Sequence, residues 1–150
     1  MRKTLPALAL AILLAAGCSS ESAFMPVTGS DHGITLVRTR NYPWSDGWDL
    51  DLVATRMPEC QRRHHLKPAG DGGFKVEVYD SGTGAYILRQ GKRWYVAETR
   101  NCQLQQFKEP PPEPGTLLGA FRVKGGELRF VAPEPREKGG ADEDAGAKGG

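Results

Sequence analysis

Three places in this chain hold residues whose types and spacing could do chemistry. Arg62-Arg63-His64-His65, with Lys67 close behind, is a basic cluster carrying two imidazoles. Its cations could meet anionic head groups or an acidic partner, and the imidazoles could add charge in mildly acidic conditions. As a metal site it is poor, because adjacent His side chains diverge on a helix or strand and a closed site takes about four convergent ligands. A solvated basic face is the plainer reading. The second place is Tyr42-Pro43-Trp44-Ser45-Asp46-Gly47-Trp48, with Asp49 and Asp51 following. Flat rings beside a turn suit recognition of a sugar or peptide; alternatively one or both of Trp44 and Trp48 cover one end of a core. The third place is the thiol pair Cys60 and Cys102.

Known catalytic signatures are absent. The chain has no H-E-x-x-H, no G-x-S-x-G and no Walker loop. Asp49 and Asp51 alternate and would share the solvent face of a strand. Ser81-Gly82-Thr83-Gly84 lies between two strand-like runs, which makes it a turn, since a phosphate cradle opens a helix. His32 falls in a Ser/Asp/Gly context expected to be mobile. The expectation is a non-catalytic domain without cofactor or metal. An enzyme would need a concave pocket gathering His64 or His65 with two carboxylates.

The elements that must position these residues are mostly strands. Ile34 and Leu36 alternate with Thr35 and Val37, and Leu50 and Leu52 with Asp49 and Asp51. Phe74, Val76 and Val78 oppose Lys75, Glu77 and Tyr79, the period of a half-buried strand. Residues 85–98 read as two strands joined around Gly91-Lys92. Residues 116–132 read as a hairpin, because Gly125-Gly126 supplies the positive φ that two-residue turns require. One helix is expected, over Met57 to Leu66. Pro58 suits a first helical turn, Glu59 suits the positive end of the helix dipole, and Pro68 and Gly70 would end it. The fold class is therefore all-β, a small antiparallel sandwich or barrel of about seven strands with one short helix.

The first residues carry an address. Arg2 and Lys3 precede an apolar stretch from Leu5 to Gly17, and polar Ser19, Ser20, Glu21 and Ser22 follow Cys18. That is the layout of a signal peptide. The stretch is too short to span a hydrocarbon core, which takes about 20 helical residues. Leu14-Ala15-Ala16-Gly17-Cys18 resembles the lipobox of bacterial lipoproteins, in which the Cys is acylated and becomes the mature N-terminus; Ala15 stands where Leu is more usual. The resemblance implies removal of residues 1–17 and attachment to a lipid bilayer through acylated Cys18. Several acyl chains hold lastingly where a single chain holds only marginally, each buried methylene contributing about 0.8 kcal/mol. Ser19 follows the anchor, where an Asp resembles an inner-membrane retention signal. By analogy the destination is the periplasmic face of a bacterial outer membrane.

Processing also changes the charge balance. Of the 20 basic residues, Arg2 and Lys3 leave with the leader, and the 18 that remain balance the 18 acidic ones. Nucleic acid is thus no expected partner, since its binding proteins carry a marked basic excess on one face. Residues 18–32 are small and polar and read as a lipidated N-terminus and tether. Residues 33–132 form the expected globular domain, with a stiff Pro-rich connector at 108–115. Residues 133–150 contain no large apolar side chain and cannot offset their ordering entropy, so a disordered tail is expected.

In an oxidising compartment, Cys60 and Cys102 have one possible pairing. A disulfide closing roughly 40 residues would stabilise by about 4 kcal/mol on the chain-entropy view. A catalytic or metal-binding thiol pair is the alternative, and no C-x-x-C spacing supports it.

Thr83-Gly84-Ala85-Tyr86 is similar to a loop in the lipid-anchored inhibitors of c-type lysozyme, one residue shorter, and Asn101-Cys102-Gln103-Leu104-Gln105 resembles a second feature of that family. The likeness implies a small β-barrel lipoprotein with a disulfide, in which Ser81 and Tyr86 would be the residues to test for inhibition. A second inhibitory loop, with a Lys-Gly pair after Trp or Thr, is not evident. The leading expectation is an envelope interaction or structural module, with an envelope protein or a glycan as partner; hydrolase inhibition is the alternative.

Overall fold

A computed structural model describes residues 18–135. The signal-peptide expectation for residues 1–17 lies outside the described residues, as does the expected disordered tail beyond residue 135. Among the described residues ten strands follow one another: β1 (Ser19–Thr28), β2 (His32–Arg40), β3 (Asp49–Arg56), β4 (Cys60–His65), β5 (Lys75–Asp80), β6 (Ala85–Gln90), β7 (Arg93–Glu98), β8 (Gln103–Gln106), β9 (Thr116–Lys124) and β10 (Glu127–Val131). They form two antiparallel sheets, ordered β1-β2-β3-β4 and β10-β9-β5-β6-β7-β8. The all-β sandwich expected from the alternating runs is the fold.

Period-two alternation builds the core. Ile34, Leu36, Leu50 and Leu52 project from the smaller sheet, and Val76, Val78, Leu88 and Phe121 from the larger one. Phe121 is fully buried and meets the Phe130 ring at 5.0 Å between centroids. Full burial of such a side chain contributes roughly 1.5–3 kcal/mol. The hairpin at Gly125-Gly126 forms as expected, with φ of 62° and 83° and Lys124 paired to Glu127.

Three expectations are corrected. The segment Met57–Leu66 is not a helix, and no helix occurs among the described residues; Cys60–His65 is strand β4, paired with β3 from Asp51↔His65 to Arg56↔Cys60. A helix there would have been polar nearly all round and without a face to bury. As a strand it satisfies the open backbone edge of β3, which buried peptide groups demand. The tether at residues 18–32 is also not found. Ser19–Thr28 pair along β2, and Ala23 and Met25 are buried. Small polar residues on the outward positions hid the alternation. The strand count therefore rises from about seven to ten, the additions being β1, β4 and β8. Residues 108–115, expected as a connector, lie in the stretch without regular structure that links β8 to β9.

Both long edges of the sandwich are closed. At one edge Glu21 Oε2 accepts the Leu128 amide of β10 at 2.9 Å. At the other a disulfide joins Cys60 on β4 to Cys102 in the β7–β8 turn, with 6.0 Å between their Cα atoms. His64 Nε2 lies 2.8 Å from the Cys102 carbonyl beside it.

Candidate functional site

The sandwich begins at the residue after Cys18. Cys18 is exposed, and its Sγ lies 3.5 Å from the carbonyl of Asn41, the first residue of the β2–β3 loop. This end of the molecule therefore collects the start of β1, the end of β2, the 41–48 loop and the end of β4.

Around it lies a cleft of about 680 Å³ on the outer face of the four-stranded sheet, lined by Ser20, Asn41, Asp49, Asp51, Arg63 and His65 among others. Sheet register explains the gathering. Ser20, Thr39 and Asp49 align across β1, β2 and β3, and Asp51 faces His65 across β3 and β4 one row further along. Asp51 is only 6% exposed despite its outward position. One of its oxygens accepts a close hydrogen bond from His65 Nδ1, and the other forms an ion pair with Arg63, 3.0 Å from its Nε. Asn41 Nδ2 donates to Asp49 Oδ2 at 2.9 Å.

The cleft does gather His65 with two carboxylates, the arrangement an enzyme would need. The Asp51–His65 pair fixes the ring and turns Nε2 away from Asp51, as an orienting carboxylate does for a general base. The rest of a hydrolytic site is not beside it. Ser20 lies three strands from His65, roughly 14 Å at a spacing of about 4.8 Å per strand, beyond hydrogen-bond reach. The His65 side chain is 89% exposed, so water is not excluded. What the cleft offers is a set of donors and acceptors of both signs on a rigid sheet. Among the described residues no three His, Cys, Asp or Glu gather closely enough to hold a metal ion.

The basic cluster is divided by the strand. Arg63 and His65 face the cleft with Asp51. His64 points to the other face and closes the edge at Cys102, and Arg62 is exposed. The tryptophans also part company. Trp48 is half-buried against the core, with the guanidinium carbons of Arg38 and Arg40 at 4.2 and 4.5 Å from its ring centroid. Its backbone bridges Ala69 in both directions. Gly47 permits this approach, since it sits at φ 105° and a Cβ would strike the Ala69 carbonyl. Trp44 is 78% exposed and stacks on Tyr42, 56% exposed, at 5.4 Å between centroids.

Ser81 and Tyr86 do not form a presented loop. Tyr86 is buried in the core, where burial, together with the nearby Asp80 charge, pushes its phenol above the ordinary value. The Ser81 hydroxyl donates to the Ala85 carbonyl at 2.6 Å inside its own turn. His32, expected in a mobile segment, begins β2 with Nε2 2.7 Å from the Thr99 hydroxyl.

One cluster went unnoticed in the sequence. On the outer face of the larger sheet, Glu77 accepts Lys75 Nζ at 2.7 Å and the Tyr79 hydroxyl at 3.0 Å, while the Arg89 guanidinium lies 5.3 Å from the Trp94 ring centroid. Burial raises the Glu77 carboxyl, but the hydrogen bonds from Lys75 and Tyr79 and the nearby cations outweigh it and hold it below the ordinary range. Burial and the Glu77 carboxylate push Tyr79 upward. The alternation of Lys75, Glu77 and Tyr79 was visible; the meeting with β6 and β7 was not, because it depends on register.

Comparison with protein-family models, with curated proteins and with solved structures gives no match.

Proposed function

We propose that this chain is a lipid-anchored lipoprotein of the periplasmic face of a bacterial outer membrane, whose β sandwich is a non-catalytic interaction or structural module. The observation that carries the reading is the position of Cys18. The cysteine of the lipobox-like stretch is exposed at the edge of the fold, with strand β1 starting at the next residue. Acyl chains on that thiol would hold the sandwich against the bilayer without a spanning helix.

The cleft containing Asp49, Asp51, Arg63 and His65 supports the interaction role, with a polar envelope partner, a glycan or a protein segment, as its occupant. Its shape is fixed by backbone pairing, and its groups offer both signs of charge. An inhibitor role finds no comparable support, because Tyr86 is enclosed and the Ser81 hydroxyl is engaged within its turn.

Replacement Cys18→Ser tests the anchor. The variant is expected in the soluble envelope fraction, and the native protein in membranes with an N-terminus heavier by its acyl groups. A native N-terminus of unmodified mass would refute the anchor. For the module, recovery of one defined envelope component by the native domain, and its loss with Asp49→Asn and Arg63→Ala combined, is the expected result. Equal recovery by both would remove the cleft from the account.

A further inference from the structure

The β2–β3 loop leaves large apolar side chains exposed at the Cys18 end, and no packing among the described residues covers them. Of the large hydrophobic side chains in the described residues, Trp44 is the most exposed and Tyr42 the next, and their rings stack on one another instead of on the core. Trp48, four residues on, covers the core end in their place. The pair is therefore not needed to close the sandwich.

Its position relates it to the anchor. Asn41, the residue before Tyr42, has its carbonyl 3.5 Å from Cys18 Sγ. The loop is also tied by hydrogen bonds. Ser45 donates its amide to the Tyr42 carbonyl at 3.0 Å, Asn41 is tied to Asp49, and the Trp48–Ala69 bridge fixes the exit. Other cations share this end. Gln90 Nε2 donates to the Lys67 carbonyl at 2.6 Å, which brings Lys67 beside the Gly91-Lys92 turn. Arg38 Nη2 donates to the Gly126 carbonyl at 3.1 Å, which brings in the turn following Lys124. The acidic neighbours Asp71 and Glu127 are paired with Arg40 and Arg129; Asp46 lies on the loop itself.

We infer that the Tyr42–Trp44 pair is a membrane-docking finger that enters the head-group layer beside the acyl chains of Cys18 and so sets the domain's orientation on the bilayer. This inference rests on the lipid-anchor reading above. Trp and Tyr favour the membrane interface because one part of the ring is apolar and another is polar. With acyl chains inserted at Cys18, beside the residue that precedes Tyr42, the finger meets the head groups without a further encounter, an intramolecular event at high effective concentration. The acyl chains supply the hold; the finger supplies direction. Lys67, Lys92 and Lys124 would face anionic head groups and be attracted to a negatively charged surface. In that pose the β3–β4 turn at Glu59 stands at the far end, away from lipid.

The test uses the full lipidated protein reconstituted in vesicles of phosphatidylethanolamine with a minority of phosphatidylglycerol. A nitroxide is placed at Asp46→Cys, which leaves both rings in place, and separately at Glu59→Cys. Accessibility to a water-soluble nickel complex is then compared with accessibility to oxygen. The label at 46 is expected to be shielded from nickel several-fold relative to the label at 59. Adding Tyr42→Ser and Trp44→Ser should remove that shielding while the protein still sediments with the vesicles. Equal nickel accessibility at 46 and 59, or shielding unchanged in the double variant, overturns the finger. The anchor is read separately, from N-terminal mass and sedimentation. An acylated, sedimenting protein with an exposed label at 46 sinks the finger alone, and an unmodified N-terminus sinks both readings.

Discussion

Arg38 and Glu21 form a two-point salt bridge that reaches beyond its own sheet. Arg38 Nε donates to Glu21 Oε2 at 3.1 Å, and Nη2 lies 2.8 Å from both carboxylate oxygens. The same guanidinium donates to the Gly126 carbonyl, and the same carboxylate accepts the Leu128 amide, so one ion pair on β1 and β2 holds the β9–β10 hairpin. Removing the carboxylate would leave a buried guanidinium and an edge amide without their acceptor. Glu21→Ala is expected to cost roughly 1.5–3 kcal/mol, the range for hydrogen bonds to charged groups. Urea unfolding measures it, and a change below about 0.5 kcal/mol would mean the edge is closed by other contacts.

The same pair makes stability depend on acid. The hydrogen bond from Arg38, helped by the Leu128 amide and opposed by some burial, holds the Glu21 carboxyl below its ordinary value of 4.5. A carboxyl whose folded pKa is depressed contributes fully above its unfolded pKa, and the contribution is lost as pH falls through the folded value. Glu77 is lowered as well and adds the same acid dependence to both the native protein and a Glu21 variant, so it leaves their difference unchanged. The stability gap between the native protein and Glu21→Gln should therefore be constant near neutrality and shrink below about pH 4. Urea midpoints across an acid series check this, and a gap that widens on acidification would reverse the sign.

The two loop tryptophans should respond oppositely to truncation. Trp48 packs on the core and carries two guanidinium groups over its ring, so Trp48→Ala loses packing and about 0.5–1 kcal/mol for each cation contact. A total near 3 kcal/mol is expected, at the low end for large aromatics because Trp48 is only half-buried. Trp44→Ala should fall within about 0.5 kcal/mol of the native protein, as exposed substitutions do. Thermal unfolding of both variants decides it, and similar losses would show that Trp44 also supports the fold.

How far these features were legible in the sequence follows from where their partners lie. Alternation in Ile34–Leu36, Leu50–Leu52 and Val76–Val78 reports burial along one strand, and it gave the β class and most strands. The Gly125-Gly126 hairpin was readable because its two halves are adjacent. Strand β1 was not, since Ser19, Ser20 and Ser22 look like a tether until paired with Arg40, Thr39 and Val37. Nor was β4, because its pairing to β3 outweighs a local pattern that suits a helix start. The cleft needed both of those strands: Asp51 meets His65 only through register, so Arg62-Arg63-His64-His65 read as one cluster while the strand sends alternate members to opposite faces. The split between Trp44 and Trp48 likewise depends on Ala69, distant in sequence.

The edge opposite Glu21 rests on covalent closure. The Cys60–Cys102 bridge spans 42 residues of sequence, for which loss of unfolded-state freedom alone corresponds to about 4 kcal/mol. It also holds β4, an edge strand with only β3 beside it, whose residues Gln61, Arg62 and Arg63 are exposed. Cys102 is fully buried and sits at φ 54°, a left-handed conformation that a side-chain-bearing residue adopts at a cost of about 1–2 kcal/mol. Without the bridge, that backbone is free to relax, taking the Cys102 carbonyl away from His64 Nε2. The double variant Cys60→Ser, Cys102→Ser is therefore expected to lose stability by roughly 4 kcal/mol and to fray locally first. Amide exchange in Gln61 to His65 should quicken more than exchange in the central pairing of β2 with β3, since the latter opens only with the whole sandwich. Uniform acceleration throughout the smaller sheet would instead place the bridge's effect in global stability alone.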